Sequence, residues 1–280
     1  MKDRSTEVQP AAVPARAKQA GDLRARWAWV EPRIWTERML TALENGVKGD
    51  KWYSLMDKVY ALDHLRQAFI RVKDNRGAAG VDHQTIPMFE SHLETNLEPL
   101  SASLKDGSYR PQAVRRVWIP KPGGKEKRPL GIPTVRDRVV ESALRQVMEP
   151  IFERDFAEHS YGFRPPRGTK DAWRRVDQLL KAGHRYVVDA DLKSYFDTIP
   201  HGPLLVRVAT KISDGKVLNL IEAFLKQAVM DRLSQWTPAG GTPQGAVVSP
   251  LLSNIYLDPL DHQMAGLGYE MVRGTPMTLS

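Results

Sequence analysis

The chain has 280 residues, 41 % of them hydrophobic, which is enough for a real core and argues against wholesale disorder. No apolar run nears the roughly 18 residues needed to span a bilayer, and the N-terminus shows no hydrophobic signal core, so a cytoplasmic protein with no membrane partner is expected. Forty-one Lys and Arg against 33 Asp and Glu give a net charge of +8, and the absence of Cys excludes disulfides and thiolate metal sites.

Residues 1–26, rich in Ala, Pro, Gln and charge, are expected to be a disordered tail. Trp27, Trp29, Val30, Ile34, Trp35, Met39 and Leu40 open an apolar pattern that predicts a helix over about 32–44, ending at Asn45-Gly46. A helix over 63–74 would carry Leu65, Ala68, Phe69 and Val72 on one face, and another over 88–104 would end at Asp106-Gly107. Val114–Pro120 and Arg128–Pro133 flank a glycine turn and predict a β-hairpin. Helices over 135–148 and 169–181 follow. Tyr186–Asp191 then reads as a strand, with Tyr186, Val188, Ala190 and Leu192 on an apolar face and Val187, Asp189 and Asp191 on the other. Helices near 203–210, 216–229 and 244–264 complete an α+β pattern without internal repeats.

Charge is concentrated. Between Arg110 and Arg138 nine basic residues face two acidic ones, so this stretch carries +7. Such a field favours phosphate-rich partners, although a solvated charged surface fits composition equally well. Three constellations could carry chemistry. Asp191-Leu192-Lys193-Ser194-Tyr195-Phe196-Asp197 puts a carboxylate at a strand exit, where two-metal nucleotidyl transfer needs one; taken alone, such an Asp is more often a cap. Gly240-Gly241-Thr242-Pro243-Gln244-Gly245 would let backbone approach a ligand, or simply form a loop and cap. Lys121 and Arg128 on the hairpin suit a triphosphate or a nucleic acid backbone, or else bulk solvent.

In combination and order these segments resemble the reverse transcriptases encoded by bacterial group II introns. The resemblance rests on YRPQAVRRVWIPKPGGKEKRPLGIPTVRDRVVE, SYGFRP, VVDADLKSYFDTIPHGPL and GGTPQGAVVSPLLSNIYLDPLD, and runs from about Trp27 to Arg273. It implies a right-hand polymerase, mostly helical with a small antiparallel sheet: a helical N-terminal extension over 27–108, fingers over 109–185 and a partial palm over 186–280, with the thumb absent. It implies that Asp191 and the Leu192 carbonyl bind Mg²⁺, and that Lys121 and Arg128 hold the triphosphate. Phe196 would exclude a 2′-hydroxyl, and Gln244, with Pro243 and Gly245 shaping its loop, would lie against the incoming nucleotide. Asp197 and His201 match a family pattern and read as helix caps; Asp189 has no metal role. The implied partners are group II intron RNA, a DNA primer or target and deoxynucleotide triphosphates, with a homodimer as a further expectation. Reverse transcriptases of diversity-generating or defence elements are an alternative against which the intron-type N-terminal region argues.

The pattern breaks after Arg273. The resemblance calls for Tyr-Ala-Asp-Asp there, and Gly274-Thr275-Pro276-Met277-Thr278-Leu279-Ser280 stands in its place. That string can be encoded GGT ACG CCG ATG ACT TTG TCN, which from its third base reads Tyr-Ala-Asp-Asp-Phe-Val. A frameshift is therefore expected, with truncation, marginal stability, a metal site short of two carboxylates and no polymerase activity. The alternatives are a non-catalytic intron-RNA-binding fragment and an inert remnant of a mobile element.

Overall fold

The computed structural model describes residues 23–120 and 127–274. At its centre is α6 (Val135–Glu153), started by the Thr134 hydroxyl accepting from the Asp137 amide at 3.1 Å. Nearly every side chain of α6 is buried, so it is a helix enclosed on all faces. Helix α3 (Leu62–Asp74) lies along it, burying Leu65, Ala68, Phe69 and Val72 as their spacing predicts. Before it come α1 (Glu37–Asn45), closed by Gly46, and the short α2 (Met56–Val59). Trp35 joins this layer to the centre by donating to the Gln146 carbonyl at 3.0 Å. Asp214 ties the layer to the C-terminal half: one carboxylate oxygen accepts from the Leu55 and Met56 amides at 2.8 and 2.9 Å, while the other caps a later helix.

The expected helix over 88–104 is two helices, α4 (Ile86–Glu90) and α5 (Leu93–Asp106). Between them the His92 amide turns back to the Phe89 carbonyl at 3.3 Å, and side chains join it. Ser91 donates to the Met88 carbonyl at 2.9 Å and Asn96 to the Phe89 carbonyl at 3.0 Å. Gly107, at φ 85°, ends α5 where the sequence predicts.

The hairpin is β1 (Val114–Pro120) against β2 (Lys127–Ile132), antiparallel, with Arg116 opposite Gly131 and Trp118 opposite Pro129. After α7 (Thr169–Lys181), α8 (Tyr195–Thr198), α9 (His201–Ala209) and α10 (Gly215–Leu225) comes a second hairpin, β3 (Val229–Asp231) and β4 (Ser234–Trp236). Strand β3 runs parallel to β1, so the sheet has order β2-β1-β3-β4 and is mixed, not purely antiparallel. The expected helix through residue 229 stops at Leu225, and the last helix, α11 (Ser249–Gly266), begins at Ser249 where residue 244 was expected.

Two further expectations are corrected. Of the tail over 1–26, residues 1–22 lie outside the described residues, but residues 23–26 form a helical turn. Its Leu23 carbonyl accepts from the Trp27 amide at 3.1 Å, and Trp27 donates to Glu44 at 2.7 Å. The predicted strand over 186–191 is not a strand. None of residues 186–193 makes a backbone hydrogen bond among the described residues, and Tyr186 and Val188 are 98 % and 92 % exposed. A strand exists only through a neighbour, and here none pairs with it.

Candidate functional site

The glycine loop is tied to three elements. The Gly241 amide donates to the Ile199 carbonyl at 2.7 Å and the Thr242 amide to the Phe196 carbonyl at 2.6 Å, which docks the loop on α8. Gly241 has φ +89°, and a Cβ there would lie 2.8 Å from the Phe196 and Asp197 carbonyls. The Gly131 amide on β2 donates to the Gln244 carbonyl at 2.6 Å; a Cβ on Gly245, at φ +106°, would meet the Gly131 carbonyl at 2.2 Å. From α6 the buried Glu141 carboxylate accepts from the Val247 amide. Burial pushes Glu141 up to about 8, opposed by that amide.

These bonds fix the side chain of Gln244, whose Nε2 donates to Asp197 Oδ2 at 3.2 Å. Asp197 thus sits inside α8 facing the loop and does not cap a helix. His201 likewise bonds the Gly241 carbonyl at 2.7 Å instead of capping. A cleft of about 170 Å³ opens here, lined by Arg116, Pro129, Asp197, Trp236, Gly241 and Gln244 among others.

Of the residues singled out by sequence, Gln244 sits on the loop whose Thr242 amide bonds the Phe196 carbonyl, and Phe163 of SYGFRP lies edge-on to Phe196 at 6.2 Å. Arg128 stands on β2 opposite Ile119, on the hairpin that binds the Gln244 loop. Lys121 lies outside the described residues, as do residues 275–280. Asp191 and Leu192 belong to the unpaired segment. Asp191 is exposed, and Leu192 lines a separate cavity of about 490 Å³ with Tyr195, Pro203, Tyr256 and Leu260. No cluster of three His, Asp or Glu side chains able to hold a metal occurs among the described residues.

Sequence reasoning passed over a set of buried ionic anchors. Arg273 grips Asp261 with Nε at 2.9 and 2.8 Å, donates to Asn254 Oδ1 at 2.8 Å, and reaches Ser160 Oγ at 2.5 Å. Its backbone also bonds His159 and Tyr161, which clamps Arg273 beside SYGFRP. Arg164, buried, pairs with Glu153 at 2.7 Å. Asp137 accepts from the Tyr109 hydroxyl at 2.5 Å, the Gln112 amide at 3.0 Å and Gln227 at 3.2 Å, which joins the approach to β1 with the approach to β3. A signal was there to read: Asn254 and Asp261 lie seven apart on one helical face, and Asp137 and Glu141 four apart within an apolar stripe.

The profile of the family described as reverse transcriptase (RNA-dependent DNA polymerase) matches residues 119–270. The protein YkfC of Escherichia coli K12 is 38 % identical over 246 residues, covering 86 % of this chain and 60 % of that one. The group II intron-encoded protein LtrA of Lactococcus lactis subsp. cremoris is 38 % identical over 211 residues, covering 75 % of this chain and 35 % of its own length. The chain thus spans less than two thirds of either relative. A chain of a partial Cas6-RT-Cas1–Cas2 complex superposes with a TM-score of 0.54 at 20 % identity, covering 80 % of this chain and 37 % of that one, a likeness of fold alone.

Proposed function

Because this chain belongs to the reverse transcriptase (RNA-dependent DNA polymerase) family, we propose that it is the fingers and front palm of a group II intron-encoded RNA-directed DNA polymerase. The observation that carries this reading is the loop of Gln244, bonded at once to the basic hairpin and to the Phe196 carbonyl. In this reading residues 27–108 are the N-terminal extension, 109–185 the fingers, and the palm begins at 186. Gln244 lies against an incoming deoxynucleotide, Phe196 beneath its sugar, and Lys121 and Arg128 take the triphosphate. Intron RNA and a DNA primer or target are the macromolecular partners.

The family generally uses divalent metal, and Mg²⁺ is the ion the resemblance names, with Asp191 and the Leu192 carbonyl as its ligands. When bound, such an ion would neutralise charge developing in nucleotidyl transfer. Asp191 is exposed, and Gly274-Thr275-Pro276-Met277-Thr278-Leu279-Ser280 stands where the resemblance calls for the two aspartates of Tyr-Ala-Asp-Asp. We further propose that the stretch from Gly274 onward, standing where the resemblance calls for Tyr-Ala-Asp-Asp, arises by a frameshift.

Primer extension on an RNA template by the 280-residue chain tests the frameshift: no extension is expected, and extension would refute it. Binding to the cognate intron should weaken steeply with salt and exceed binding to unrelated RNA. Equal binding to both would remove the intron assignment. Resequencing from the codon for Val272 onward separates a real frameshift from a misread base.

A further inference from the structure

Alternation along β1 puts Val114, Arg116 and Trp118 on one face of the sheet. The register sets Pro129 and Gly131 beside them on β2, and Val229, then Trp236, abreast of Val114 on the other side. On this face the Arg116 guanidinium lies 4.7 Å from the Trp236 ring centroid and 5.6 Å from that of Trp118. The Trp118 indole is oriented by its Nε1, which donates to Asp231 Oδ2 at 3.1 Å. Both indoles nonetheless stay open, Trp118 at 47 % and Trp236 at 38 % exposure. Trp118 faces Pro129 on β2, and Arg116 faces Gly131, so nothing long on β2 stands beside them. The cleft with Gln244 begins at their foot, since Arg116 and Trp236 line it.

Two indoles flanking a guanidinium, held in place before any ligand arrives, offer flat π-faces with positive charge between them. We propose that this sheet face is a stacking platform for an unpaired base of a single-stranded nucleic acid, adjacent to the Gln244 cleft. It rests on the nucleic-acid reading above. The chemistry favours a base over an apolar protein surface because the arginine sits among the rings, and because residues 110–138 carry +7 to draw in phosphates. Stacking on an aromatic side chain tolerates any base, which suits a strand of arbitrary sequence.

The test measures anisotropy of a short labelled oligoadenylate, and of an abasic strand of equal length, titrated with the 280-residue chain. The chain should prefer the oligoadenylate. Trp118→Ala and Trp236→Ala should each weaken that binding about tenfold, leaving abasic binding unchanged. Trp118→Phe and Trp236→Phe should keep most of it, which separates stacking from damage to the sheet. Ala variants that bind oligoadenylate like the parent, or a parent that binds both strands equally, would overturn the platform while leaving phosphate binding intact. A parent that binds neither strand would remove the nucleic-acid reading, and the platform with it.

Discussion

Replacing Glu141 by Gln should remove most of a pH dependence that this single carboxyl imposes on stability. Glu141 is fully buried on α6, faces Asp137 and Arg138 of its own helix, and accepts from the Val247 amide on the loop packed against it. Burial raises its pKa from the ordinary 4.5 to about 8. The folded chain therefore keeps a proton that the unfolded chain has already released between pH 4.5 and 8. Stability from this group is complete below pH 4.5 and is lost as pH rises through 8. The displacement is worth on the order of 5 kcal/mol, or roughly 8 °C in Tm for a chain of this size. Glu141→Gln keeps an acceptor for the Val247 amide but cannot ionise. Urea unfolding of both proteins from pH 5 to pH 9 supplies the difference curve, in which groups common to both cancel. That difference should grow in favour of the Gln variant as pH rises and level off above 8. A flat difference, or one that levels off near pH 5, would refute the argument.

His64 should produce the opposite slope on the acid side. It is buried, donates Nδ1–H to the Lys58 carbonyl at 2.8 Å, and burial lowers it to about 4, so its contribution is present above pH 6.5 and lost as pH falls through 4. About 3 kcal/mol should disappear across that window, and His64→Asn should abolish the loss in urea unfolding at stepped pH. Arg273→Ala leaves Asp261 buried without its partner and should cost about 3–5 kcal/mol, with faster amide exchange at Tyr161; Arg273→Lys, lacking the fork, should recover little. Gly245→Ala drives a Cβ into the Gly131 carbonyl at a positive φ and should cost about 3 kcal/mol. Gly202→Ala in α9, where nothing lies within 4 Å, should leave urea stability equal or higher.

The helices were legible wherever one apolar face and a stop signal coincided. Helix α3 shows its stripe of Leu65, Ala68, Phe69 and Val72, α7 matches its predicted bounds, and Gly46 and Gly107 end α1 and α5 as expected. The β1–β2 hairpin was legible from β-prone residues around a glycine turn. Strands β3 and β4 were not, because three residues each are too few to display a period of two, and Val229 extended the apolar pattern of the preceding helix. The segment over 186–191 shows the converse: Tyr186-Val187-Val188 carries strong β preference, yet preference supplies no ladder. Gln244 and Phe196 were found through the resemblance, and the docking of the Gln244 loop depends on Gly241 and Gly245 allowing backbone contact with α8 and β2. Asp137 and Glu141 were overlooked because a carboxylate in a helix reads as surface until its partners from distant segments are known.

The parallel pairing of β1 with β3 joins residues 115 positions apart, Val114 with Val229. On a ribosome adding about 5–20 residues per second, the first hairpin waits roughly 5 to 20 s for its neighbour to be made. Throughout that interval the inner edge of β1 is open and Trp118 has no Asp231 to orient it. Helix α6 can already settle against α3 during the same period, since both have been synthesised. The helical body therefore has the means to form first and the cleft last, so nascent chains arrested before residue 229 should present a folded scaffold with an unfinished, chaperone-accessible sheet.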